Sequence, residues 1–207
     1  MEFSSEDRAR LKALMTWRRD VRHFRTDPLD PALVARLAEA MALAPSVGNA
    51  RPWRVIRVED PAVRTAIRDE FARCTAAAEA AYAGARRKEY AALKLAGLDR
   101  APLQLSIFCD TDPEEGHGLG RATMPETLMQ STAMAVYALM LAARAENVGA
   151  GLVSILSPDV MARILDVPPR WRFATHVCLG YPEAVDDTPL LHRAGWQENA
   201  EPEWETR

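Results

Sequence analysis

The chain has 207 residues, 48% of them hydrophobic, which is enough apolar material for one domain with a real core. Its 26 Lys and Arg nearly balance its 29 Asp and Glu, for a formal net charge of -3. That balance excludes a general attraction to nucleic acid or to an anionic membrane surface, so any basic cluster acts locally. Cys74, Cys109 and Cys178 are odd in number and widely spaced, with neither a disulfide framework nor a zinc pattern. The histidines show no metal-ligand spacing either, and no metal is expected. The longest fully apolar run, Ala133 to Ala143, is too short to span a bilayer. The polar, acidic start of the chain is unlike a secretory signal, and a reducing cytoplasm is the expected location.

In chain order, Ser4 and Asp7 form a capping pair for a first helix reaching about Trp17, with Leu11, Leu14 and Met15 as its apolar stripe. Asp30 and Pro31 start a second helix, whose inner face is Leu33, Val34, Leu37, Ala38 and Met41. Pro45 to Pro52 reads as a loop and Trp53 to Val58 as a strand. Asp60-Pro61 opens a third helix carrying Val63, Ile67 and Phe71, which runs on or breaks near Gly84; Arg86 to Gly97 is helical or lid-like. Leu103 to Cys109 alternates as a strand with Leu103, Leu105, Ile107 and Cys109 on one face. Thr111 to Met124 is a long loop. Pro125 opens a long helix, apolar on nearly all sides, that ends near Asn147. Ala150 to Leu156 is a strand, Ser157-Pro158 caps a short helix to Leu165, and Phe173 to Leu179 is a last strand. Tyr181 to Arg207 is a disordered tail or a packed arm. This mixture suits an α+β sandwich better than a regular βαβ series.

Chemistry concentrates in Trp17-Arg18-Arg19-Asp20-Val21-Arg22-His23-Phe24. Guanidinium forks suit phosphate, and Arg18 and Arg22 fall one helical turn apart. The bland reading is a solvated basic helix end; the apolar neighbours Trp17, Val21 and Phe24 favour a partly buried anion site. Asp20 weakens a pure phosphate site and implies a task of its own. Pro45-Ser46-x-x-Asn49 reads either as an ordinary turn or as a loop touching a planar heterocycle. Gly116-His117-Gly118-Leu119-Gly120 lacks the spacing of a dinucleotide cradle and reads as a flexible loop. Ser154 interrupts an apolar strand end, where a buried hydroxyl would need a partner.

Taken together, Arg18 to Phe24 and Ala44-Pro45-Ser46-Val47-Gly48-Asn49-Ala50-Arg51-Pro52-Trp53 resemble the flavin-binding nitroreductase superfamily. Its segments often read Arg-Arg-Ser-x-Arg-x-Phe and Ala-Pro-Ser-x-x-Asn-x-Gln-Pro-Trp. Asp20 in place of the serine is similar to the superfamily's 5,6-dimethylbenzimidazole synthase branch, as are Leu93 to Pro102, Gly118 to Thr127, Val153-Ser154-Ile155 and Cys178 to Glu183. Arg51 stands where the superfamily commonly has Gln.

The resemblance implies a nitroreductase-like FMN-binding sandwich over residues 1–196, with a mainly antiparallel central sheet flanked by helices, and a homodimer with FMN at its interface. A short tail, 197–207, follows the domain. It implies flavin contacts from Arg18, Arg19, Asp20, Val21, Arg22, Ser46, Lys94 and Ser154, with Ser46 reaching in from the partner subunit. The branch consumes reduced FMN with dioxygen and yields 5,6-dimethylbenzimidazole and erythrose 4-phosphate; a separate flavin reductase, drawing on NAD(P)H, supplies the reduced flavin. On this reading Asp20 is the base and Ser154 hydrogen-bonds at the ring. The flanking arginines are expected to favour the charged form of Asp20 and so to lower its basicity. Ala83 to Gly97 and Asp112 to Met124 are candidate lids. Two other readings are a conventional NAD(P)H-dependent nitroreductase or flavin reductase, and a non-catalytic flavin-binding module.

Overall fold

A computed structural model describes residues 1–93 and 97–207. Four antiparallel strands form one sheet: β1 (Trp53–Arg57), β2 (Leu103–Asp110), β3 (Gly149–Val153) and β4 (Trp171–Gly180), in the order β1-β2-β4-β3. The expected antiparallel α+β sandwich is therefore present. The helices are α1 (Ser5–Trp17), α2 (Pro31–Ala42), α3 (Pro61–Ala80), α4 (Gly84–Ala92), α5 (Thr127–Ala145), α6 (Pro158–Ile164) and α7 (Leu190–Arg193).

Local chemistry sets the helix starts. Ser4 and Asp7 close a reciprocal capping box at α1. Asp30 and Asp60 each accept from the backbone N–H two residues on, with proline in the first turn of α2 and α3. The chain breaks between α3 and α4, and Gly84 takes φ +57° there.

Two apolar clusters lie about the sheet. One joins Leu33, Leu37 and Met41 of α2 and Leu139 of α5 to Leu103, Ile107, Val177 and Leu179. The other gathers Phe24, Ile67, Phe108, Met161, Phe173 and Cys178. Leu105 packs with the first cluster as the alternation of β2 requires, but Cys109 belongs to a third, small cluster. The β2–β4 register shifts between Ile107 and Phe108, which breaks the period of two.

Some expectations fail for want of packing. The α1 stripe is not buried: Leu11 and Met15 stay exposed and α1 has no buried residue. β3 stops at Val153, so Ser154 lies past its end and is exposed; its hydroxyl needs no protein partner. Residues 181–196 form a packed arm that includes α7, and 197–207 are exposed. Among the described residues no helix is long and apolar enough to cross a membrane.

Candidate active site

α1 ends where the Arg18 N–H bonds the Leu14 carbonyl, and the chain then runs extended along the free edge of β3. Asp20 pairs in parallel with Ala150, and the Val21 N–H donates to the Ala150 carbonyl at 3.0 Å. Further on, Phe24 bridges to Pro182, and the Arg25 N–H donates to the Tyr181 carbonyl at 2.8 Å. Phe24 is fully buried and pins this strap to the second core.

Small residues make the docking possible. A Cβ on Gly151 would sit 2.1 Å from the Val21 carbonyl oxygen, and one on Gly97 would sit 2.3 Å from the Phe24 ring. Only glycine lets backbone and ring approach so closely.

The Asp20 carboxylate is fixed at both oxygens. Oδ1 accepts the Leu152 N–H at 2.7 Å, and Oδ2 accepts from the Arg22 guanidinium at 2.5 Å. Burial is the largest influence on its pKa and raises it above the ordinary carboxylate value. Arg22, the Leu152 N–H and Arg18 pull the other way without cancelling it. The arginines lower its basicity as expected, but burial, which that expectation left out, outweighs them and sets the net upward direction. Asp20 is thus a better base than a solvated aspartate. Ser154 follows Leu152 by two residues and lies just past the end of β3, so the chain carries both proposed catalytic groups toward that end of the strand.

The strap walls a cleft of about 260 Å³, closed by α5 through Met140 and Arg144 and by the arm through Asp186, Leu190 and Arg193. Five arginines (Arg18, Arg19, Arg22, Arg144, Arg193) face three carboxylates (Asp20, Glu183, Asp186) along its lining, a balance that favours an anion. Arg19 Nε donates to the Asp187 carbonyl at 2.8 Å, and Arg193 pairs with Asp186 at 3.0 Å. Arg18 Nε is buried with no hydrogen-bond partner among the described residues, an orphan donor that an anionic ligand would satisfy. Val21 also lines the cleft. The residues present therefore fit a phosphorylated ligand.

Ser46 stands elsewhere in the chain. Its Oγ accepts the Arg51 N–H at 3.0 Å, and the neighbouring Val47 N–H bonds Ser131 of α5 at 3.0 Å. Ser131 precedes Met140 by about 14 Å along the helix axis. Arg51 itself takes φ +45° beside the 3-10 turn Val47–Asn49. Lys94 lies outside the described residues. The Gly116–Gly120 loop begins in the 3-10 turn Glu115–Gly118, has its glycines at positive φ, and packs against Gly48 rather than feeding a helix from a strand. The cleft wall at Arg144 and Arg193 was missed by sequence reasoning, since nothing local to α5 or α7 announces it. The Gly149-Ala150-Gly151 run was a usable signal of close backbone approach.

This α+β sandwich with an arginine-lined anion cleft at a sheet edge defines a class, and residues 15–181 match the model of the nitroreductase family; the chain belongs to it. It is 58% identical over all 207 residues, and over the full length of both chains, to a 5,6-dimethylbenzimidazole synthase of Rhodobacter capsulatus. It is 52% identical to the protein of that name in Rhodospirillum rubrum, over 94% of this chain and 92% of the other. The fold also matches the crystal structure of oxidized iodotyrosine deiodinase bound to FMN and 3-iodo-L-tyrosine, with a TM-score of 0.73 at 20% identity, covering 95% of this chain and 97% of that one.

Proposed function

We propose that this chain is a 5,6-dimethylbenzimidazole synthase, which takes reduced FMN as substrate and fragments it with dioxygen. The observation that carries the reading is the Asp20 carboxylate, held at the cleft between Arg22 and the Leu152 N–H where a serine is usual in the superfamily. Full-length relatives of that name support it. Reduced FMN supplies the electrons for dioxygen and the carbon framework of the product. The chain's residues do the rest. Arg18, Arg19 and Arg22 hold the phosphate and ring edge. Asp20 removes a proton from the ribityl arm, and its raised pKa suits that role. Ser154, exposed at the end of β3, hydrogen-bonds at the ring.

The site is completed by a second copy of the chain. A single-chain cleft of about 260 Å³ falls below the about 300–1,000 Å³ of ordinary ligand pockets. Ser46 would enter from the partner, and the apolar side chains left exposed on α1 and α5, Trp17, Met134 and Tyr137, are suited to being covered. A separate flavin reductase, drawing on NAD(P)H, supplies reduced flavin.

The test is aerobic incubation with FMN reduced by a separate system, read by product mass. The wild type should release 5,6-dimethylbenzimidazole. Asp20→Asn, which keeps the shape but not the base, should bind FMN and lose product by about 100-fold or more. Undiminished product from Asp20→Asn removes the proposed base. NAD(P)H turnover by the protein alone with FMN intact returns the conventional nitroreductase reading.

A further inference from the structure

We propose that Trp196 is a positioning residue that couples α4 to the arginine cleft, so that a ligand anchored in the cleft also holds α4 in place. This coupling rests on the flavin reading of the cleft. α4 has nine residues, no side-chain cap at its N-terminus, and a single buried residue, Tyr90. So short a helix is marginal unless tertiary contacts hold it. Those contacts are aromatic. Tyr90 and Tyr82 lie 5.1 Å apart between ring centroids, and the Trp196 indole meets Tyr82 edge-on at 5.8 Å and Tyr90 at 6.3 Å. The Arg86 guanidinium, also on α4, lies 4.2 Å from the centre of the Trp196 ring.

Trp196 comes from the arm that walls the cleft. Leu190 and Arg193 line the cleft from α7, and the Trp196 N–H bonds back to the Leu191 carbonyl at 2.9 Å, after Gly195 turns the chain at φ +69°. Upstream, Arg19 grips the Asp187 carbonyl, so the strap and the arm are one wall. Past α4 the chain is seated again at Gly97, which packs under Phe24 and against the Arg22 carbonyl. Both sides of α4 are therefore tied to the arginine strap: one through Trp196, the other through Gly97. A ligand that draws Arg19 and Arg193 together fixes α7, and α7 sets the indole on which α4 rests. Coupling of this kind is reciprocal: whatever factor occupancy adds to α4 docking, loss of the clasp must subtract from ligand affinity.

The experiment uses full-length wild type, Trp196→Ala and Trp196→Phe, with FMN as the probe. Limited trypsin digestion reports α4 through cleavage at Arg86, Arg87 and Lys88. FMN affinity is read by quenching of flavin fluorescence. In the wild type, saturating FMN should slow α4 cleavage by about fivefold or more. In Trp196→Ala cleavage should be fast with or without FMN, with FMN affinity weaker by the factor of protection lost; Trp196→Phe should restore most of both. A merely structural Trp196 would speed cleavage equally in both conditions and leave the protection ratio intact, and that result overturns the coupling. FMN binding to the wild type without α4 protection overturns it too. No FMN binding by the wild type overturns the flavin reading and the coupling with it.

Discussion

Substituting Gly151 by alanine tests the docking of the strap on β3. The new Cβ would fall 2.1 Å from the Val21 carbonyl oxygen, where ordinary contact begins at 3.4 Å. The obstacle is backbone in an extended strap, so the strap must retreat by about 1 Å. Retreat breaks the Val21–Ala150 hydrogen bond and the Leu152–Asp20 hydrogen bond. A neutral bond contributes about 1 kcal/mol and one to a charged acceptor about 1.5–3 kcal/mol. Replacing a strand glycine returns about 0.5–1 kcal/mol of chain entropy. The net destabilisation is about 2–3 kcal/mol, read as the shift in free energy of urea unfolding. Product formation from reduced FMN should fall by about 100-fold, the usual consequence of a catalytic group moved by 1 Å. Gly149→Ala is the internal comparison. Its Cβ meets Val21 side-chain carbons, the nearest at 2.8 Å, and a side chain yields more readily than backbone. Its effect should be clearly smaller. If Gly151→Ala unfolds within about 0.5 kcal/mol of wild type and makes product normally, the strap is not held as described.

Other consequences follow from burial. Phe24→Ala removes a fully buried ring from beneath the strap and should cost about 3–5 kcal/mol in urea unfolding; a cost under about 1 kcal/mol would mean the strap is not pinned there. Ser154→Ala, at an exposed position, should leave the melting temperature unchanged while lowering product yield; equal yield ends its proposed role at the ring. Acid should weaken the fold in two stages. Burial holds the His176 imidazole down at about 4, so from pH 6.5 downward the unfolded chain takes up a proton that the folded chain refuses. Stability falls as pH drops through that window, by about 2 kcal/mol between pH 7 and pH 5. Glu70, held at about 2 chiefly by Arg73, adds a second loss as pH falls from 4.5 toward 2. Equal urea midpoints at pH 7 and pH 5 would contradict the His176 assignment.

The sequence by itself determined the features whose causes lie within a few residues. The capping box at Ser4 and the Asp-Pro starts of α2 and α3 depend on hydrogen bonds and dihedral preferences spanning one turn. The arginine strap could be found because its residue types stand side by side. Tertiary structure alone decided what those residues meet. Asp20 is held by a backbone N–H 132 positions away, and its pKa rises because burial at that contact outweighs arginines that are its neighbours in sequence. The α1 stripe stayed exposed and Ser154 fell outside its strand, because hydrophobic pattern proposes a face to bury but cannot say whether a partner arrives. Trp196 meets α4 for the same reason: a chain fold, not a local rule, brings the arm across the structure. Hydrogen-bonding and capping preferences act over a few residues, whereas desolvation depends on every segment packed around a group, however distant along the chain.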